Sequence, residues 1–361
     1  MVATLIRPSM LSDSDVSKES IAGMLSGQDS DEYFSRIANS DGPILIGPWI
    51  SEVGFELLYW IPFLNRIVED YRLDRRRIYV LSRGGVSSWY GEMGRCYTDI
   101  FNLMPVEIFK RKNQDREEAT GTQKHVDVGP LDLELLRAWQ VYRECEEFWL
   151  VHPALMYKRF EPFWRRKRSI RLIEANTRYL RIETDTIRAI EQKLPETFIA
   201  VKFYFSKALP DRGVHEKYVA KLLRRLSLNN RVVLLNTGLD IDGHGDVLPK
   251  TSDDLLTFSE FMTPENNLAI QSMLVGRSKA FLGTYGGFSY LSPYMGVPSI
   301  SLYATELKFL PVHLDVARRA CRYLKFGTFD KVRAAKDHEA VPGAEFNCMS
   351  LDEFARLTDL L

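Results

Sequence analysis

Apolar residues in this chain come in short unbroken runs that alternate with longer stretches at helical spacing, the pattern of strands buried on both faces connected by amphipathic helices. PILIG, 43–47, reads as a buried strand. The loop PWISEVG and the helical stretch FELLYWIPFLNRIVEDY follow it, and RIYVLSRGG, 77–85, is a second strand. Strand, loop, helix and strand within about forty residues make a βαβ unit and hence an open, twisted parallel sheet. VEIFKRKN, 106–113, is expected to add a further strand. Residues 132–194 are dominated by helical patterning, most clearly in LDLELLRAWQVYRECEEFWLVHPALMYKRF. A second α/β unit starts at TFIAVKFYFS, 197–206. It runs through the helix HEKYVAKLLRRLSL, the strand RVVLLNTG, the helix PENNLAIQSMLVGR, the strand KAFLGTYGG, the helix FSYLSPYMG and the strand PSISLYA.

This order divides the chain into an arm at 1–41, a Rossmann-like domain at 42–131, a helical linker at 132–194, a second Rossmann-like domain at 195–335 and a tail at 336–361. The arm is rich in Ser and Asp, with ESIAGMLSG and DEYFSRIAN each suited to a short helix. The tail ends in SLDEFARLTDLL, an amphipathic closing helix. A length of 361 residues exceeds what one hydrophobic core usually serves, so two domains fit it. With 48 basic against 48 acidic residues the formal charge is zero, which argues against an overall field built to hold nucleic acid; any anion site must be local. Cys96, Cys145, Cys321 and Cys348 are scattered and form no CxxC pair, as expected of reduced thiols in the cytoplasm. MVATLIRPSMLSDSDVSKES lacks the basic and apolar regions of a signal peptide, and no run is long enough to span a membrane.

Ligands of open parallel sheets lie beyond the carboxyl ends of the strands. In FLGTYGGFSYLSPYMGVPSISLY, 281–303, the turn after the strand offers Gly286 and Gly287 for close backbone approach, with Thr284, Tyr285 and Ser289 around them. That set suits a diphosphate, although a glycine pair in such a turn equally serves to relieve backbone strain. Ser206, Lys207 and Arg212 follow the preceding strand, where cations can neutralise a departing diphosphate or simply remain solvated. The loop NTGLDIDGHGD, 236–246, brings Thr237 and Gly238 toward a base or ribose. Its single His244 among scattered Asp residues reads as a solvated turn, and no metal site is expected.

The segment AFLGTYGGFSYLSPYMGVPSISLYA resembles the donor site of GT-B glycosyltransferases, most closely the heptosyltransferases of lipopolysaccharide synthesis. It departs from them where Thr284 and Tyr285 replace Asn-Asp, Gly286 replaces Ser or Thr, and Tyr290 replaces His. The resemblance implies two Rossmann-like domains facing a cleft, with a helical linker. It also implies a nucleotide sugar as co-substrate, no bound cofactor, and Lys207 on the donor phosphates. ILIGPWISEVGFELLYWIPFLNRI is similar to that family's first loop, which carries an Asp taken as the catalytic base. Aligning on Pro62 and Leu64 puts Glu56 on that Asp, whereas aligning on Ser51 puts Glu52 there.

Inverting sugar transfer requires a carboxylate to take the acceptor proton. Glu56, embedded in GFELLYWIP, is expected to be desolvated and raised in pKa, which ranks it ahead of Glu52. The bland alternatives are a first-turn helix residue for Glu56 and a solvated loop carboxylate for Glu52. Trp49, a loop aromatic, is a candidate for stacking on a sugar, whereas Tyr59 and Trp60 read as core. Arg83, at the end of the second strand, is either an anion contact or a structural ion-pair partner.

Residues 157–182 carry nine Lys or Arg against two Glu, with Phe160, Phe163, Trp164 and Tyr179 interleaved. Such a face attracts an anionic membrane or a lipid-linked acceptor when it is not merely solvated. The expectation is a cytoplasmic, metal-independent, inverting glycosyltransferase of polysaccharide biosynthesis, acting on a nucleotide sugar and a glycan or lipid-linked acceptor. Membrane contact would be peripheral, through 157–182, and nucleic acid is not a partner. A nucleotide-sugar epimerase, a pyruvyl transferase and a non-catalytic sugar-nucleotide binding module are the alternatives; the Arg-Leu-His phrase of the pyruvyl transferases is absent.

Overall fold

The computed structural model describes residues 30–210, 213–239, 241, 246, 255–304, 311–324 and 346–350. The first half contains β1 (Ile44–Ile46), β2 (Ile78–Ser82), β3 (Tyr97–Asp99) and β4 (Trp149–Val151), ordered β3-β2-β1-β4 in one parallel sheet. The second contains β5 (Ile199–Lys202), β6 (Val232–Leu234), β7 (Leu255–Thr257), β8 (Ala280–Thr284), β9 (Ser299–Tyr303) and β10 (Phe346–Ser350). These form a parallel sheet of order β10-β9-β8-β5-β6-β7. The two Rossmann-like halves expected from the sequence are the architecture observed. Central β1 is buried along its whole length, which is why it reads as an unbroken apolar run.

The main helices are α1 (Ser30–Ala38), α2 (Ile61–Asp70), α3 (Val106–Thr120), α4 (Pro130–Arg143), α5 (Pro153–Trp164), α6 (Gly213–Ser227), α7 (Asn267–Arg277), α8 (Gly287–Tyr294) and α9 (Pro311–Tyr323). A turn at Val53–Phe55 and a π-helical segment at Glu56–Trp60 lead directly into α2.

Several local expectations change. Residues 106–113 are not a strand but the start of α3, of which only Phe109 is buried; that is too little apolar surface for a strand covered on both faces. The third strand is the shorter Tyr97–Asp99. Within the stretch expected to be a helical linker, Trp149–Val151 forms β4 and covers the open edge of β1. The arm reading of 1–41 fails from Ser30 onward, because α1 buries Tyr33, Phe34 and Ile37 and the Tyr33 hydroxyl donates to the Leu150 carbonyl at 2.8 Å. The closing helix at 350–361 lies outside the described residues apart from Ser350, which ends β10.

One apolar core runs through both halves. Hydrogen bonds cross the junction from Tyr294 Oη to the Leu57 carbonyl (2.6 Å), from Trp89 Nε1 to Ser272 Oγ (2.9 Å) and from the Ala269 N–H to the Gly84 carbonyl (2.9 Å). Another close approach joins the Val53–Gly54 turn to the start of α8. A Cβ on Gly287 would lie 2.9 Å from Val53 Cγ1 and 3.1 Å from the Gly54 nitrogen, so a side chain here would force Val53 and its turn to shift. Gly287 therefore serves the junction as well as the turn.

Candidate active site

A cleft of 540 Å³ opens between the halves. Its walls include the loops that follow β1, β2, β5, β6 and β8, all at carboxyl ends of strands, together with residues of α3, α7, α8 and α9. In the second sheet it sits between β5 and β8, where the strand order reverses and open α/β sheets bind ligands.

Ser206, Lys207, Thr237, Tyr285, Gly286 and Gly287 line this cleft. The loop bearing Lys207 is held at both sides: Ser206 Oγ accepts from the Ala208 N–H at 3.1 Å, and the Ala208 carbonyl accepts from the Ala304 N–H at 2.8 Å. Exposed Lys207 is thus presented on a pinned turn. Tyr285 and Tyr290 meet edge to face, with their hydroxyls 2.7 Å apart. Gly286 has φ 157°, and a Cβ there would fall 2.0 Å from Tyr204 Oη.

Thr284 and Ser289 do not reach the cleft. Thr284 Oγ1 accepts from the Tyr204 N–H (3.1 Å) and donates to the Tyr204 carbonyl (3.0 Å), which fastens the ends of β5 and β8 together. Ser289 Oγ donates to the Gly286 carbonyl (2.6 Å) and accepts the Gly286 N–H (3.0 Å). Both hydroxyls are fully buried and occupied by backbone, the usual fate of short polar side chains in a strand-to-helix turn. Gly238 stands beside Thr237 but not in the wall, and Arg212 and His244 lie outside the described residues.

Lys202, at the end of β5, is a site residue that sequence reasoning missed. Its ammonium donates to the Leu235 carbonyl at 3.0 Å and to Asp246 Oδ1 at 3.1 Å, and lies 5.3 Å from the centre of the Phe288 ring. Asp246 Oδ2 in turn accepts the Thr237 N–H at 3.0 Å, so the Lys202–Asp246 pair shapes the loop after β6. The available signal was a lysine inside the apolar run AVKFYF, a position that charged side chains occupy only with a partner.

On the opposite wall Glu52 faces the cleft, whereas Glu56 does not. Glu56 lies on the inner side of the helical run, fully buried, where Oε1 accepts from Ser82 Oγ at 2.7 Å and from Tyr90 Oη at 2.6 Å. Burial, with Glu56 beside it, pushes the Tyr90 hydroxyl well above its ordinary pKa. Trp49 is likewise fully buried, stacked on Trp60 with ring centres 5.9 Å apart, and is not available to a sugar. Arg83 does line the cleft, but its Nη2 donates to the Ser51 carbonyl at 2.9 Å and so braces the loop that carries Glu52.

His313 also lines this wall, and Lys124 stands just behind it, next to the lining residue Gln123. The Lys124 ammonium sits over Phe55 (5.3 Å) and Trp164 (5.2 Å); burial lowers its pKa, with Glu52 pulling it up and Lys207 pushing it down. His313 Nδ1 lies 2.6 Å from Tyr59 Oη, and burial pushes the ring down to about 4. A neutral ring unprotonated at Nδ1 accepts a hydrogen bond from the Tyr59 hydroxyl. Between pH 6.5 and 4 the unfolded chain protonates a ring that the native protein keeps neutral, so its stabilisation is complete above pH 6.5 and is lost as pH falls toward 4. Urea unfolding across that interval should show on the order of 2 kcal/mol of stability loss from this ring, and a shallower loss in His313→Gln. An unchanged slope in the variant would refute the assignment.

His125, Asp132 and His152 form a fully buried cluster behind the first wall. Asp132 takes His125 Nε2 at 2.7 Å, lies 3.5 Å from His152 Nε2, and accepts the Gly129 N–H at 2.6 Å. Burial pushes His125 down to about 4. His152 Nδ1 accepts the Ala154 N–H at 3.1 Å, capping α5, so the proton of a neutral ring is on Nε2, facing Asp132. That tautomer leaves no Nε2 lone pair for a metal ion. The cluster instead anchors the loop bearing Gln123 and Lys124, and the Gln123 carbonyl accepts from Ser51 Oγ at 2.8 Å.

No protein-family model matches the sequence, and no curated protein does. Among solved structures the chain is similar to the Escherichia coli ADP-heptose lps heptosyltransferase II, at 11% identity over 75% of this chain and 86% of that one, with a TM-score of 0.42. It is similar to the glycosyl transferase family 9 protein of Veillonella parvula at 16% identity, over 75% of this chain and 83% of that one, with a TM-score of 0.40. A third likeness is to the bacterial iron-containing dodecameric glycosyltransferase TibC of enterotoxigenic E. coli, at 11% identity over 73% of this chain and a TM-score of 0.38; the chain spans 59% of that protein's length.

Proposed function

We propose that the chain is a GT-B glycosyltransferase that moves a sugar from a nucleotide-sugar donor to a hydroxyl of a glycan or lipid-linked acceptor. In this reading transfer inverts the anomeric centre, needs no metal ion, and uses Glu52 as general base. One juxtaposition carries it: Lys207, Thr237 and Gly286 line one side of the cleft, at a strand-order reversal, and Glu52 lines the other. The acceptor oxygen bonds to the anomeric carbon as the bond from that carbon to the diphosphate breaks. The diphosphate leaves with the electron pair, and the acceptor proton passes to Glu52. Lys207 stabilises the charge growing on the leaving group, while Lys202 and Asp246 hold the loop bearing Thr237. Lys124 beside Glu52 favours an acceptor that carries negative charge.

A panel of nucleotide sugars tests this directly. A matching donor near saturation should raise the melting temperature by about 5 °C, and nucleoside diphosphate should be released only when an acceptor extract is added. Stabilisation by no nucleotide sugar and no nucleoside diphosphate would sink the proposal. Conversion of the donor without an acceptor would replace it with an epimerase.

A further inference from the structure

We propose that the turn following α5 docks this protein on an anionic membrane surface. The Pro162 carbonyl accepts the N–H groups of Lys167 (2.8 Å) and Arg168 (3.0 Å), folding the chain tightly just past Trp164. Arg165, Arg166, Lys167 and Arg168 are thereby all exposed, and Arg171 follows, also exposed. Arg165 pairs with Glu161 at 2.5 Å, but the other four have no ion pair among the described residues, and no acidic residue occurs between 162 and 173. Like charges this close repel one another in the free protein. In a chain of zero net charge, that concentration marks a local surface with an anionic counterpart.

Exposed apolar groups farther along the segment favour a bilayer over a nucleic acid. The same segment continues to Leu180, 43% exposed, and Tyr179 stacks on Tyr323, which is 56% exposed, with ring centres 6.1 Å apart. Arg319 pairs with Glu174, tying α9 to this segment. Cations followed along the same segment by an exposed aliphatic and, through the Tyr179 stack, an exposed tyrosine suit the headgroup boundary, where ring and leucine can leave water while the charges meet lipid phosphates. Among the described residues no helix is long and apolar enough to cross a membrane, so the contact is peripheral. The turn also adjoins the cleft: Trp164 lies 5.8 Å from Phe55, which lines it. Docking here brings the cleft to the membrane surface.

Sedimentation of the full chain with phosphatidylcholine vesicles, with and without phosphatidylglycerol, tests this independently of any transferase activity. Wild-type protein should pellet with the anionic vesicles, stay in solution with the neutral ones, and be released by high salt. Replacing Arg166, Lys167, Arg168 and Arg171 together by Gln should lower partitioning about a hundredfold or more, with the thermal melt unchanged. Wild-type protein that ignores anionic vesicles, or a quadruple variant that binds them equally well, would overturn the proposal. So would loss of oligoribonucleotide binding in the variant without any vesicle binding by wild type, since the face would then belong to RNA.

Discussion

Replacing Glu52 with Gln should lower the rate of glycosyl transfer about a thousandfold, the middle of the range for removing a general base. The substitution keeps the side chain's size and one of its oxygens, so it tests proton removal rather than packing. Glu52 precedes the Val53–Phe55 turn with extended backbone and makes no side-chain cap, so the helical run should start unchanged in the variant. Under the proposed function the donor is held by the opposite wall, so its affinity should move by less than about twofold. The effect therefore belongs in kcat, as expected when an interaction made only in the transition state is lost. In the wild type, transfer should fall on the acid side as Glu52 becomes protonated, and that limb should vanish in whatever activity Glu52→Gln retains. A Glu52→Gln enzyme with more than about a tenth of wild-type kcat would refute the base assignment.

The second half was largely legible because its strands are continuous apolar runs and its turns carry glycine after a strand, which together mark the cleft edge. What the sequence could not show was which polar groups near that edge were already satisfied. Thr284 and Ser289 have the right chemistry for a phosphate, and both bond to backbone within a few residues or one neighbouring strand. Lys202 escaped notice for the opposite reason: its partners, the Leu235 carbonyl and Asp246, come from other loops. β4 was hidden because a three-residue strand between two helices has no period of its own, and its identity comes from pairing with β1 over a hundred residues earlier. Trp49 looked like a loop aromatic, yet its ring is stacked in the core on Trp60.

The two carboxylates show the same limit at the scale of one helical turn. Apolar neighbours correctly announced that Glu56 would be desolvated, but a base must also reach its substrate, and Glu56 is sealed behind the cleft wall with Ser82 and Tyr90. Its expected role is structural, and that can be measured. Glu56→Ala removes the acceptor of two buried hydroxyls and opens a cavity, which should destabilise the protein by about 3–4 kcal/mol. Glu56→Gln preserves both volume and an acceptor oxygen, and should lose no more than about 1 kcal/mol. In transfer assays run well below the melting temperature, Glu56→Gln should stay within about threefold of wild type. Urea unfolding of the two variants, paired with kinetics on the Gln form, separates the roles cleanly. A Glu56→Gln protein that folds like wild type yet loses transfer a thousandfold would return the base to Glu56 and require the helical run to rotate open during catalysis. A Glu56→Ala protein as stable as wild type would mean that Ser82 and Tyr90 had found other acceptors, and that the buried carboxylate is not what holds the helical run against β2.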